Sequence, residues 1–156
     1  MADLVEPFTP LEVLAQVPQQ EPFRFIDGID ELDADHIVAH YTFPEDADFY
    51  RGHFPGNPIT PGVILIETMA QAGVVAFGLY LLSLEENGRD ALEKLLTIFT
   101  EANVEFASMV APGERVITTA HKEMFRRRKL RSRVELRRED GVVVASGTVA
   151  GMGVPK

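Results

Sequence analysis

The 156-residue sequence contains no cysteine and no tryptophan. The lack of cysteine excludes disulfides, thiolate catalysis and cysteine-based metal sites, and it agrees with a reducing compartment. Residues 1–6 lack a basic segment followed by an apolar run, so no signal peptide is predicted and we expect a cytoplasmic protein. The length is that of one domain, predicted to span residues 1–156.

Positive charge is scarce overall but concentrated in one place. The chain has 15 Lys and Arg against 24 Asp and Glu, a net charge of −9, which argues against binding nucleic acid through general electrostatics. Nine of the basic residues nevertheless lie between Lys122 and Arg138. This basic segment has two interpretations: a solvated outer face of a sheet, or a docking surface for an acidic partner.

The sequence also lacks the motifs of common cofactors and metals. It has no glycine-rich phosphate loop of the dinucleotide-binding or P-loop kind, and nothing in it indicates a redox cofactor. His36 and His40 lie four residues apart on a predicted strand, which places them about 13 Å apart, too far to share a metal ion. We therefore expect neither a cofactor nor a metal.

The patterning predicts an α+β fold. Thr9 and Pro10 have the features of a helix start, and that short helix is predicted to end near Val17. Alternating apolar residues and turn signals predict the strands. The predicted strands are 23–29, 36–43, 95–106, 115–125, 129–138 and 142–149, with a polar break at 84–90.

One long helix is apolar on nearly every face. It is predicted to begin with Thr60 as N-cap and Pro61 in the first turn, and to end near Leu82. Such a helix is either buried or in a bilayer, and Glu67 and Gln71 in its first half favour burial, so no membrane span is expected. We expect an antiparallel sheet to wrap around it. One sheet cannot cover every side, which predicts a dimer whose sheets join edge to edge.

A proline- and glycine-rich loop directly before this helix holds His53. The loop restricts the backbone, Glu67 projects from the second helical turn, and the amides of Gly62 and Val63 begin the helix. A base, an acid and an oxyanion donor are what the elimination of water from a β-hydroxyacyl thioester requires. Apolar surroundings would keep Glu67 neutral and able to donate its proton. The alternative is that His53 only holds the loop together and Glu67 pairs with a cation or faces water.

Residues 52–58 (GHFPGNP), 61–63 (PGV) and 67–71 (ETMAQ) closely resemble the signature of the β-hydroxyacyl-acyl carrier protein dehydratases of the FabA/FabZ type. The resemblance implies a hot-dog fold and an obligate dimer with two sites at its interface, often assembled into a trimer of dimers. The substrate is expected on the phosphopantetheine arm of acyl carrier protein. Glutamate at position 67 is similar to the FabZ branch, so isomerase activity is not expected.

The resemblance also implies roles for individual residues. His53 would be the base from one subunit and Glu67 the acid from the other, with the Gly62 amide on the thioester oxygen and Gln71 orienting Glu67. The signature loop would include Phe54, Pro55 and Gly56. The candidates for docking the carrier protein lie at the predicted strand turn and are Arg126, Arg127, Arg128 and Lys129.

Two departures from the family pattern concern the substrate. Residues 103–106 read NVEF where members commonly carry a Lys-Ala-Arg-Phe segment, and Thr60 replaces a common methionine. Both lie near the expected path of the acyl chain or the pantetheine arm. Fatty-acid synthesis and a related polyketide-like or aryl polyene pathway therefore both stay open. A hot-dog thioesterase and a non-catalytic acyl- or carrier-binding subunit are the rival functions.

Overall fold

The computed structural model describes residues 6–156; residues 1–5, part of the segment for which no signal peptide is predicted, lie outside the described residues. A central helix, Gly62–Ser83, consists of α2 (Gly62–Ala70), a π-helical segment (Gln71–Ala76) and α3 (Phe77–Ser83). The other elements are α1 (Pro10–Gln16), β1 (Gly28–Leu32), β2 (His36–Thr42), a 3-10 helix (Asp48–Arg51), α4 (Gly88–Leu92), β3 (Leu95–Phe106), β4 (Arg115–Arg126), β5 (Lys129–Arg138) and β6 (Val143–Pro155).

The six strands form one antiparallel sheet in the order β1-β2-β4-β5-β6-β3. The π-helical segment of the central helix packs against β2, β4, β5 and β6, the middle of the sheet. Buried apolar residues of helix and sheet form the core between them. This arrangement confirms the predicted α+β fold, an antiparallel sheet wrapped around a central helix, which is the hot-dog architecture.

Close contact between the helix and the sheet depends on Gly73. A Cβ atom added at Gly73 would lie 2.8 Å from the Val134 side chain and 3.1 Å from that of Ala120, so glycine lets the helix approach β4 and β5. In addition, the buried Ser132 hydroxyl donates a hydrogen bond to the Gly73 carbonyl oxygen at 2.6 Å. The π-helical segment is thus fixed to the centre of the sheet by packing and by a buried hydrogen bond.

The central helix is long and apolar enough to cross a membrane, but its surroundings show that it is a core helix. In the most apolar 18 residues of this helix, 61% are buried inside the protein. The remaining exposure is concentrated near the helix start, where Val63 is 74% exposed.

The predicted first strand, 23–29, is wrong in its bounds, because β1 runs from Gly28 to Leu32. The backbone of the preceding segment bonds to a side chain instead: the Phe25 amide donates to Gln71 Oε1, and the Phe23 carbonyl accepts from Gln71 Nε2. Alternation alone does not distinguish such an extended segment from a paired strand.

Three other boundaries also differ from the prediction. The polar break at 84–90 contains the start of a short helix, α4. The last strand does not end at 149: β6 continues to Pro155, because it pairs with β3 along the whole length of that strand. The helix N-cap is Pro61 rather than Thr60.

Strand β3 lies at one edge of the sheet. Among the described residues it pairs only with β6, so the backbone groups on its other side have no strand partner. It also carries exposed apolar side chains, including Leu96, Ile98 and Phe99, each more than 40% exposed. A long, apolar edge of this kind is suited to pairing with another strand.

Candidate active site

A hydrogen bond to the backbone fixes which ring nitrogen of His53 carries the proton in the neutral imidazole. His53 lies just after the 3-10 helix, and its Nδ1 is 2.8 Å from the Ile59 carbonyl oxygen. Because a carbonyl oxygen can only accept, Nδ1 carries the proton in this bond. In the neutral ring, Nε2 is then the atom with a free lone pair. His53 is therefore prepared to act as a base through Nε2.

The loop around His53 is closed by its own backbone. The Phe54 amide donates to the Asn57 carbonyl, and the Asn57 amide donates back to the Phe54 carbonyl, around a turn with Pro55 and Gly56 at its exposed tip. Gly56 has a φ of 73°, the left-handed region that glycine adopts most readily. The Ile59 amide also bonds to the His53 carbonyl, and the Phe54 ring stacks on the imidazole at 4.1 Å. The imidazole is thus held on several sides.

The start of the central helix has free backbone donors because Thr60 is used elsewhere. The Thr60 hydroxyl shares a 2.6 Å hydrogen bond with the hydroxyl of Tyr50, and its amide donates to the Val110 carbonyl. Burial raises the pKa of Tyr50, so its hydroxyl stays neutral in this contact. No side chain caps the helix. The first amides, at Gly62 and Val63, have no acceptor within the helix and can bind an anionic oxygen.

Two residues beside the helix start were not predicted as part of the site. Tyr50 holds Thr60, and Phe106 of β3 lies against Gly62, where an added Cβ atom would come within 3.2 Å of the phenyl ring. Neither residue has a local signal in the sequence, since Tyr50 and Thr60 lie on either side of the His53 loop and Phe106 lies on a strand far beyond Gly62. Phe106 does belong to segment 103–106, one of the two departures from the family pattern.

A buried glutamine holds the carboxyl group of Glu67. Gln71 is fully buried, and its Nε2 donates to Glu67 Oε1 at 2.9 Å and to the Phe23 carbonyl at 3.0 Å. Its Oε1 accepts from the Phe25 amide at 2.7 Å. Since a side-chain amide has a fixed planar geometry, these bonds fix both its position and the carboxyl oxygen it contacts.

The structure brings some of the predicted site residues together and separates others. His53, Gly62 and Val63 lie at the N-terminal end of the central helix, and Glu67 and Gln71 occupy its next turns. Among the described residues, His53 and Glu67 share no hydrogen bond within one protomer. Arg128 lines one cavity together with Leu82 and Leu92, so the β4–β5 turn is at the other end of the helix. Arg127 and Arg128 form this turn, between Arg126 at the end of β4 and Lys129 at the start of β5.

Within residues 6–156, no group of three or more His, Asp or Glu side chains is placed to hold a metal ion. The polar groups described at the site are an imidazole, a carboxyl group and backbone amides.

Comparison with solved structures defines the class of fold. The dehydratase heterocomplex ApeI:P from Xenorhabdus doucetiae matches with a TM-score of 0.72 and 17% identity, over 96% of this chain and 93% of the other. A thioesterase from Haemophilus influenzae matches with a TM-score of 0.67 and 14% identity, over 97% and 94%. The chain thus has a hot-dog fold, which dehydratases and thioesterases share.

Sequence comparison then identifies the family. The model of the FabA-like domain matches residues 17–150. The 3-hydroxyacyl-[acyl-carrier-protein] dehydratase FabZ of Streptococcus pyogenes is 37% identical over 140 residues, which cover 88% of this chain and 93% of that protein. FabZ of Xanthomonas oryzae pv. oryzae is 40% identical over 108 residues, covering 68% and 67%. The chain belongs to the FabA-like family, which confirms the predicted resemblance.

The role of Gln71 in holding the Phe23–Phe25 segment can be tested by the substitution Gln71→Leu. It leaves the buried Phe25 amide without an acceptor, so we expect the free energy of unfolding to fall by about 1–3 kcal/mol. Chemical denaturation measures this change. The matched control is Gln16→Leu, at an exposed position of α1, where we expect a change within about 0.5 kcal/mol. Equal stability of the two variants would contradict this account.

Proposed function

We propose that this protein removes water from a 3-hydroxyacyl thioester on acyl carrier protein and forms the trans-2-enoyl thioester. It is a hydro-lyase of fatty-acid or related lipid biosynthesis that uses no cofactor, and we propose that it acts in the cytoplasm. The observation that carries the proposal is the Nδ1–H bond of His53 to Ile59, which leaves Nε2 free as a base in a chain of the FabA-like family. The named FabZ relatives support the same reaction.

The reaction can be written with every proton assigned. His53 Nε2 removes a proton from Cα of the acyl group, and the negative charge moves to the thioester oxygen, where the amides of Gly62 and Val63 bind it. As the charge returns to form the Cα–Cβ double bond, the β-hydroxyl group leaves and takes the proton of Glu67. Water and the enoyl thioester are then released. Transfer of the proton from His53 to Glu67 restores the starting state.

We propose that the site forms across a dimer, with His53 from one protomer and Glu67 from the other. Three features support a second copy of the chain as the partner. Strand β3 has an unpaired edge among the described residues, and its apolar side chains are exposed. The apolar side chain of Val63, in the first turn of the central helix, is 74% exposed, and a partner protomer would shield it from water. Antiparallel pairing of two β3 strands would join the sheets and bury these side chains.

Substitution of the two proposed catalytic residues tests the reaction. His53→Ala and Glu67→Gln are each expected to lower kcat by about 10²-fold or more, because each removes a proton-transfer group. Mass spectrometry of a 3-hydroxyacyl carrier protein incubated with the enzyme detects the loss of water. The control is His121→Ala, which changes an exposed histidine of β4 and should keep full activity.

The same measurement separates the rival functions. Release of a free acid instead of an enoyl group would identify a thioesterase. If neither product forms although the carrier protein binds, the chain is a non-catalytic binding subunit.

Sharing of the site between protomers predicts complementation between two inactive variants. When His53→Ala and Glu67→Gln chains are co-expressed, half of the randomly paired dimers are mixed and each has one intact site, so about a quarter of the wild-type activity should return. The measurement is the dehydration rate per active-site equivalent of the purified mixture. No recovery, although mixed dimers are present, would place both residues of each site in one protomer.

We further propose that the β4–β5 turn docks the acidic carrier protein. Arg126 pairs with Lys129 across the turn, and Arg127 and Arg128 between them have φ values of 53° and 63°. Two consecutive left-handed residues form a turn that favours Asn-Gly, and each non-glycine residue there costs roughly 1 kcal/mol or more. The chain places exposed arginines at these unfavourable positions, which supports a role for their charge.

The double substitution Arg127→Asn/Arg128→Gly separates charge from turn geometry. The new turn should be more stable by about 1 kcal/mol, measured by thermal unfolding, because its residues suit left-handed φ values. At the same time the KM for the carrier-linked substrate should rise, most clearly at low salt. The KM for the same acyl group on free pantetheine should not change. An unchanged KM for both substrates would exclude docking at this turn.

A further inference from the structure

We infer that the buried hydroxyl pair of Tyr50 and Thr60 positions the His53 imidazole for proton removal. This role rests on the proposed dehydratase function and adds two residues to it, neither of which transfers a proton. Tyr50 lies in the 3-10 helix before the His53 loop, and Thr60 lies after that loop. Their hydroxyl oxygens are 2.6 Å apart, and the two residues are only 5% and 3% exposed. The hydrogen bond therefore joins the two ends of the loop where water is excluded.

A single peptide group connects this pair to His53. The peptide bond between Ile59 and Thr60 is planar, so its carbonyl and its N–H turn together. The carbonyl accepts from His53 Nδ1 at 2.8 Å, and the N–H donates to the Val110 carbonyl at 2.9 Å. A rotation of this peptide group would weaken both hydrogen bonds. The orientation of the His53 ring therefore depends on whatever keeps the Ile59–Thr60 peptide in place.

Tyr50 holds this peptide group through the Thr60 side chain. The Thr60 Cα atom adjoins the peptide plane, and the bond from its Oγ1 to the Tyr50 hydroxyl restricts its rotation. Tyr50 itself is fixed in the 3-10 helix, where its amide donates to the Ala47 carbonyl. The same helix holds the backbone of His53, whose amide donates to the Phe49 carbonyl at 3.1 Å. His53 is thus held at its backbone and at its ring by one short helix.

Packing alone does not require two hydroxyl groups at this place. Apolar side chains of the same shape would fill the space, and the net gain in stability from one buried hydrogen bond is small. What the pair adds is direction, because a hydrogen bond restricts both side chains to one orientation. Thr60 is one of the two departures from the family pattern. Its burial against Tyr50 leaves little surface for an acyl chain, so we attribute the departure to the positioning of His53.

Loss of this support would change the base itself. If the Ile59 carbonyl turns away, His53 Nδ1 loses its acceptor, and the neutral ring can carry its proton on Nε2 instead. That tautomer has no lone pair on Nε2 with which to remove the Cα proton. A rotated ring would also direct the lone pair away from the substrate. Both effects lower the rate of the chemical step and leave the binding of substrate largely unchanged.

Two substitutions remove the pair from either side, so a folding defect in one does not prevent the test. Tyr50→Phe and Thr60→Val should each lower kcat per folded molecule about tenfold, with less than about a twofold change in KM. The double variant should lose no more than either single variant, because the two hydroxyls act as a unit. Thr60→Ser keeps the hydroxyl and should restore kcat to within about threefold of the wild type. The control is Tyr80→Phe, at a partly buried position of α3, which should keep the wild-type kcat.

Nitrogen-15 NMR of the free protein locates the proton of His53 without any substrate. The spectrum distinguishes protonated from unprotonated ring nitrogens, and His53→Ala assigns its signals among the four histidines. In the wild type we expect the neutral ring to carry its proton on Nδ1. In Tyr50→Phe and Thr60→Val we expect a clear share of the tautomer with the proton on Nε2. Because burial raises the pKa of Tyr50, ionisation of its hydroxyl does not complicate the comparison.

The two measurements separate this role from the proposed function. If the wild-type protein dehydrates no 3-hydroxyacyl carrier protein, the proposed function fails, and the NMR spectra alone decide whether the pair positions His53. Wild-type kcat in the single variants, additive losses in the double variant, or a rise in KM at constant kcat would each overturn the positioning role. A lower kcat with an unchanged His53 spectrum would overturn it too, because the pair would then act through another group.

Discussion

The burial of a helix that is apolar on nearly every face is the constraint on which the rest of this structure depends. Such a helix is stable in water only when other elements cover it, and the six-stranded sheet does so along one side. Gly73 allows the close approach, and Ser132 bonds the carbonyl oxygen that the π-helical segment presents to the sheet. The uncovered start of the helix and the unpaired edge of β3 are consequences of the same constraint, because a single sheet cannot enclose the helix.

The functional groups lie where this packing leaves backbone or side-chain polar groups to be satisfied. Gln71 lies on the central helix and is fully buried, so both its amide NH2 group and its amide oxygen need hydrogen-bond partners. The NH2 group donates to Phe23 and Glu67, and the oxygen accepts from Phe25. The position of the Glu67 carboxyl group is therefore coupled to the fold of the chain before β1. At the helix start, the pairing of Thr60 with Tyr50 leaves the first amides without a side-chain cap.

A feature that lowers stability occurs at the turn proposed for docking. The two arginines in left-handed conformation keep positive charge on a tight turn of an otherwise acidic protein. Left-handed arginines are a local choice that a sequence selected only for stability would avoid.

The sequence by itself determined most of the elements and supplied the residues that we propose for the site. The long apolar run after Thr60 and Pro61 predicted the central helix, and alternating apolar residues predicted most strands. The prolines and glycines around His53 marked its loop. Only the tertiary structure decided that Phe23 and Phe25 bond to Gln71 instead of belonging to a strand. It also decided that Thr60 bonds to Tyr50 instead of capping the helix, and that β6 continues to Pro155. Each of these depends on a partner in another element or loop, and periodicity within one segment carries no information about such partners.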